Sequence, residues 1–221
     1  RKIALGMRLP GLAAVAALHR LAACLPEDEA AVPSDIKYIK CGLCQQLVSA
    51  VHEQVAEAQK KSKAKRQLSE ESIQTMIESA CKPSTEAGAW LKFLDMAETE
   101  GGSIQVERQA EDGPCGRECK TLGMACEQLM EEGWEDMLSE SLFGGEAVDD
   151  LRQTACHEWS AACRKAPPKV DPTRKPGPPF RPFTEEERAF EAHRTGAPDA
   201  PGVFQDSALR YALGMGPAGD V

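Results

Sequence analysis

The chain has 221 residues, of which 42% are hydrophobic but only 5% aromatic, and a formal net charge of −9. So few aromatics, among abundant Ala, Glu, Leu and Lys, weigh against a large β-sandwich and favour helix. The acidic balance argues against nucleic acid as a partner, because phosphate recognition needs a basic face.

Residues 1–26 read as a targeting segment. From Met7, a plausible initiator, Arg8 precedes the apolar run Leu9 to Ala23, small residues stand at Ala22-Ala23, and the first acid is Glu27. That order is a secretory signal peptide's. His19 and Arg20 interrupt the run, so an acid-free organellar transit peptide is the competing reading. The stretch is too short and too broken to span a bilayer. Leu21-Ala22-Ala23-Cys24 mimics a lipobox and is taken as coincidence, with Cys24 leaving with the signal. Residues 27–36 are acidic and Pro-punctuated, a linker.

A domain is expected over 37–163. Ile36 to Ile39 lead into Cys41-Gly-Leu-Cys44, and Cys44, Leu47, Val48, Val51 and Val55 recur at steps of three and four, one face of a first helix. It should end in the basic run Lys60, Lys61, Lys63, Lys65 and Arg66. This run is either a solvated helix end, where cations suit the helix dipole, or a patch that contacts a membrane headgroup or a partner. Ser69 before Glu70 and Glu71 is an N-cap signal for a second helix carrying Ile73, Met76, Ile77, Ala80 and Cys81, stopped by Pro83. Trp90 to Leu94 and Ser103 to Val106 flank Glu100-Gly-Gly, which reads as a β-hairpin. A third helix is expected from about Glu118 to Leu129, with Cys119, Leu122 and Cys126 aligned. Trp134, Met137 and Leu138 mark a short segment before Gly144-Gly145. A last helix covers 146–163, with Val148, Leu151, Ala155, Trp159 and Ala162 spaced for burial. Ten of the fifteen prolines fall in 164–221, so this stretch is expected to be a largely disordered tail. One short helix is expected near Thr184 to His193, where Thr184 and Glu187 make a capping box.

Eight of the nine cysteines lie between 41 and 163, which suggests a disulfide framework and an oxidising compartment. Cys41 and Cys44 share one side of the opening helix, Cys156 and Cys163 one side of the closing helix. If the two helices lie antiparallel, Cys41 meets Cys163 and Cys44 meets Cys156; parallel helices would exchange the partners. The axial spacings (about 4.5 Å against about 10.5 Å at the usual helical rise) differ, so the pairing demands bending or fraying. Cys81 and Cys126 would form a third bridge, and Cys115 and Cys119 a small loop. With asparagine absent, no N-x-[ST] glycosylation signal exists.

A C-x2-C opening one helix, single cysteines on the middle two and a spaced pair ending the fourth resemble the saposin B-type pattern. Lys37-Tyr-Ile-Lys-Cys-Gly-Leu-Cys44, an insertion with Trp90, Cys115-Gly-Arg-Glu-Cys119, Pro176-Gly-Pro-Pro-Phe180 and Gly196-Ala-Pro198 are similar to the canopy family, in particular its plant and algal members. The family is also described as Toll-like-receptor-associated, MIR-interacting saposin-like proteins. The resemblance covers about 37–205. It implies a mainly α, disulfide-linked saposin-like bundle with a small hairpin insertion between helices two and three. It also implies a protein of the endoplasmic reticulum lumen or secreted space that assists folding or maturation of client proteins, without a cofactor and without enzymatic activity.

Three alternatives compete. Saposins proper open their helices onto lipid or a membrane surface. Ile36 to Ile39 followed by Cys41-x-x-Cys44 mimics the strand–C-x-x-C–helix of a thiol-disulfide oxidoreductase, although the surrounding βαβ pattern is missing. Cys41, Cys44, Cys115 and Cys119 would formally make a tetrathiolate zinc site. The four histidines, His19, His52, His157 and His193, accompany no hydrolase signature.

Overall fold

The computed structural model describes residues 30–61 and 68–195. Among these the chain is mainly helical: α1 (Ile36–Lys61), α2 (Glu70–Ser79), strands β1 (Leu94–Glu98) and β2 (Ile104–Arg108), α3 (Arg117–Met130), α4 (Glu135–Gly144), α5 (Val148–Thr154) and α6 (Glu185–Thr195). No helix among the described residues is long and apolar enough to cross a membrane. The expected targeting segment lies outside the described residues, as does Cys24.

α1 is the axle of the domain. Its Leu43, Cys44, Leu47, Val48 and Val51 are wholly buried, packed against α3, α5 and the hairpin. α3 answers with Leu122, Ala125, Cys126 and Leu129, and α5 with Leu151. Side chains three and four apart on a helix share a face, so one stripe per helix suffices to seal this centre. α2 pairs with α4 instead, through Ile73 and Ile77 against Leu138 and Leu142. Trp134 enters the core ahead of α4, its Nε1–H donating to Leu129 O at 2.7 Å.

Residues 36–39 are the first turn of α1, not a strand. A 3₁₀ turn at Pro33–Asp35 leads into it, so this part of the expected linker belongs to the bundle: Val32 N–H donates to Thr121 Oγ1 and Asp35 is buried. Ser69 caps α2 as expected, accepting from Ser72 N–H. The hairpin is shorter than the sequence suggests. Ala89–Phe93 is a 3₁₀ turn, because the Trp90 indole is drawn inward to donate to Ala80 O. Pairing runs from Leu94↔Arg108 to Glu98↔Ile104, closed by a turn with Gly102 at φ +72°.

The four disulfides link Cys41 with Cys163, Cys44 with Cys156, Cys81 with Cys126, and Cys115 with Cys119. The axial mismatch of the first two is resolved by the breakdown of the last helix. After Thr154 the chain loosens into a π-helical turn over Ala155–Trp159, and Ala161 takes a positive φ of 54°. Cys163 thereby folds back, its N–H donating to Cys156 O at 2.9 Å. The continuous helix to 163 read from the sequence is therefore incorrect, and the departure is what lets antiparallel cysteines meet.

Residues 164–183 depart most from the composition-based expectation of a disordered tail. They form a strap laid along the hairpin and α3, leading into the capped helix α6. Arg174 is buried between Asp35 and Glu98, with Nε 2.9 Å from Asp35 Oδ2 and Nη1 against the Glu98 carboxylate. Val170 N–H donates to Gly102 O, Phe183 N–H to Asp112 O, and Arg117 Nη2 to Lys175 O. Prolines supply no cooperative structure of their own; order comes from charges and amides on the other surface. Thr184 and Glu187 form the expected reciprocal capping box. Arg181 holds Glu187 bidentately and with Thr184 N–H pulls its carboxyl down to about 2.

Replacing both Cys81 and Cys126 with Ala should lower unfolding free energy by about 2–4 kcal/mol, since the bridge closes 45 residues. Denaturant titration with and without the pair checks this, and Cys44–Cys156 should still form.

Candidate binding cleft

The hairpin, the bridges and α3 hold the N-terminal half of α1. Beyond Val51 the helix emerges from its covering and its side chains are only half buried. α2 and α4, paired with each other, meet this half of α1 at an angle that leaves a gap. His52, Val55, Ala56 and Gln59 form one wall; Leu68 and Ile73 form a second; Leu142, Phe143 and Gly145 close the third. The resulting cleft holds about 220 Å³ and its walls are predominantly apolar. Gly145, at φ +75°, ends α4 in a left-handed turn, which steers the chain away from the opening.

α4 also carries two large apolar side chains that stay substantially exposed. Met137 is 41% and Phe143 38% exposed. Both lie off the Trp134, Leu138, Leu142 stripe that buries α4. The sequence signal for this surface is therefore an apolar residue out of register with its helix's own stripe, as Phe143 is.

Of the predicted contact patch, Lys60 and Lys61 end α1 directly after the cleft residue Gln59 and are exposed, Lys61 lying 3.7 Å from Glu57. Lys63, Lys65 and Arg66 lie outside the described residues. His52 lines the cleft, His157 lies in the π-helical turn, and the side chain of His193 lies outside the description, as does His19. The cysteines of the proposed zinc and redox motifs are brought together differently. Cys41 and Cys44 are bridged to separate partners across the bundle, and Cys115 is bridged to Cys119. Among the described residues no three His, Cys, Asp or Glu side chains converge as a metal cluster.

A second feature lies where the strap crosses α3. Glu118 Oε1 accepts from Gly177 N–H at 3.1 Å, and Oε2 from Met96 N–H at 3.3 Å. One carboxyl thus clasps strap and hairpin to the start of α3. A Cβ on Gly177 would stand 2.2 Å from Glu118 Oε1, so only glycine permits this approach. Burial, then a hydrogen bond with the neighbouring Asp95 carboxyl, pushes Glu118 up to about 7, against the opposing pull of the two amides. No periodicity announces such a clasp, since its partners are far apart in sequence.

No family model matches the chain, and no curated protein or solved structure matches it.

The Glu118 clasp fixes a pH dependence. Its proton is retained in the fold between its ordinary value of 4.5 and about 7, while the unfolded chain releases it. The folded state therefore binds more protons in that window, and this group's contribution to stability declines as pH rises through it, levelling above about 7. Glu118→Gln removes the ionisation but keeps an oxygen acceptor for only one of the two amides, so, whatever the offset between the two proteins, its Tm should fall less between pH 4.5 and pH 8 than the parent's. Thermal melts of both proteins across that range measure it.

Proposed function

We propose that this chain is a saposin-like binding protein of the canopy type, working in the lumen of the secretory pathway or outside the cell, where it holds client polypeptides during folding or maturation. The reading rests most on the open apolar cleft beside exposed Phe143 and Met137, carried on a bundle that is covalently closed elsewhere. A monomeric surface seldom leaves large apolar groups beside an apolar recess without a use for them. At about 220 Å³ the cleft is smaller than the roughly 300–1,000 Å³ typical of sites that enclose a small molecule. It suits one or two apolar side chains of an extended or partly folded polypeptide. The dense disulfide framework favours an oxidising compartment. The order of cysteines along the chain resembles the family's pattern.

The lipid reading needs the leaves of the bundle to part. α1 and α3 are packed directly on each other through wholly buried side chains, and bridges tie α1 to the last helical turn and α2 to α3. Parting them would expose this core, so surface contact with a client demands less than engulfing a lipid. The oxidoreductase reading draws little from the pairing, because the two sulfurs of Cys41-x-x-Cys44 are not bonded to each other.

Suppression of aggregation of a thermally unfolding model enzyme tests the proposal. The parent should suppress it near stoichiometric ratio, and Phe143→Asp should need about tenfold more protein, as for loss of a central apolar anchor, with unchanged helical content. Equal activity of parent and variant would remove the cleft from the mechanism. Strong, salt-sensitive co-pelleting with anionic liposomes and no suppression would replace the client by lipid.

A further inference from the structure

The four disulfides are not equally placed. Cys44 and Cys156 are wholly buried, as is Cys126, with Cys81 5% and Cys119 6% exposed. Cys115 is partly exposed, and Cys41–Cys163 is the bridge with both of its cysteines partly exposed. Cys41 lies in the wall of a groove of about 540 Å³ formed by the N-terminal turns of α1, Gln128 of α3 and the chain from Ala162 to Pro168. Three lysines line that groove: Lys37, Lys40 and Lys165. Lys40 reaches Glu132 at 3.7 Å and Lys37 lies over the Tyr38 ring; Lys165 is exposed. Gln45, one helical turn beyond Cys41, turns its Nε2 toward both sulfurs, 4.0 Å from Cys41 Sγ and 3.9 Å from Cys163 Sγ.

From this arrangement we infer that Cys41–Cys163 is a thiol-disulfide exchange site for a small anionic thiol, which the lysine-lined groove collects and delivers to Cys41. The chemistry needs nothing beyond that thiol. Its thiolate attacks Cys41 Sγ, the sulfur that lines the groove. The Cys41–Cys163 bond breaks, and its electron pair leaves on Cys163 Sγ, where the Gln45 amide donates to the developing thiolate. A mixed disulfide now stands on Cys41. A second thiol molecule, attacking the adduct's outer sulfur, expels the Cys41 thiolate. The balance is two thiols oxidised to one small disulfide and one protein disulfide reduced to two thiols. Anionic thiolates gain from nearby cations both in local concentration and in the stability of the leaving group.

The rival bridge, Cys115–Cys119, adjoins a groove of mixed charge. The groove holding Cys119 also contains the carboxyls of Asp95 and Glu118, along with Lys92, Arg117 and Arg181. An anionic thiol finds mixed charge there, and Cys119 itself is nearly covered. Opening Cys41–Cys163 releases the root of the strap, because Cys163 is where the chain leaves the last helical turn. Cys44–Cys156, out of solvent one turn further along α1, keeps the bundle closed meanwhile.

The full chain, with all four bridges formed, is exposed to limiting reduced glutathione and, separately, to cationic cysteamine. Adducts and free thiols are then mapped by mass spectrometry. The expected first product carries glutathione on Cys41 and a free thiol at Cys163, with the other three bridges intact and helical content unchanged. The ratio of the glutathione to the cysteamine rate should fall about three- to tenfold in the double variant Lys37→Gln, Lys165→Gln, as loss of two exposed cations allows. That fall should vanish near 1 M salt, where screening is complete within about 3 Å. Both substitutions are at the surface, so folding is not at stake, and the rate ratio cancels each thiol's own reactivity. First reaction at Cys115–Cys119, a first adduct on Cys163, or a rate ratio indifferent to the two lysines would overturn the inference.

Discussion

The architecture depends on the meeting of α1 with the loosened end of the last helix. Two bridges there, separated by 122 and 112 residues of chain, tie the first helix to the last helical turn. Each closes a loop whose conformational freedom, if unconstrained in the unfolded state, would be worth about 4–5 kcal/mol in the chain-entropy account. The two are nested, so the second adds far less than the first. What the second adds is direction. One bridge leaves a hinge, but two bridges three residues apart on α1 fix the rotation of the closing segment about the α1 axis. Leu151 and Ala155 are then wholly buried, their segment packed on α1.

That fixation has a local cost, visible in the backbone. A regular helix would carry Cys163 nearly two turns beyond Cys156, too far to reach Cys41 while Cys156 reaches Cys44. The π-helical turn and the left-handed Ala161 bring it back. Ser160, buried in this turn, donates its hydroxyl to Ala155 O and lies 3.5 Å from Cys44 Sγ. Ala155 O thus accepts from both the backbone N–H and the hydroxyl of Ser160, so its lone pairs are satisfied inside the core. Covalent geometry has overridden helix propensity here, in a segment whose Ala-rich sequence gives no warning of it.

Much of this was legible in advance because it was periodic or countable. The stripes of α1, α2 and α3 were visible in Leu47, Ile73 and Leu122 and their neighbours at helical spacing, and the Ser69 and Thr184 caps in single residues. The cysteine pairing followed from two helices bracketing one compact unit. The misreadings share a cause: a distant contact outbid a local preference. Trp90 left the hairpin for the Ala80 carbonyl. Residues 164–183, which composition assigns to a tail, are ordered by Arg174 between Asp35 and Glu98 and by Glu118 against Gly177. Such contacts join positions tens of residues apart and leave no period to detect. The cleft escaped for a related reason, since it is made where stripes end rather than where they run.

The ends of α1 consequently differ in kind. Its N-terminal half is enclosed by bridges, hairpin, strap and α3, and Gly42 lets β2 approach until a Cβ there would lie 3.4 Å from Val106. Its C-terminal half has no covalent tie beyond Cys44, and the cleft walls from His52 to Gln59 begin eight residues later, about 12 Å along the axis. Motion in a domain concentrates where buried contacts are fewest, so adjustment to an apolar ligand falls to α2, α4 and the far turns of α1. The enclosed half meanwhile holds its geometry. On the proposed function, a rigid anchor with one adaptable end would let varied apolar segments bind without loosening the whole core. The disulfides at one end of α1 and the cleft at the other are thus two consequences of one long helix being fastened on one side only.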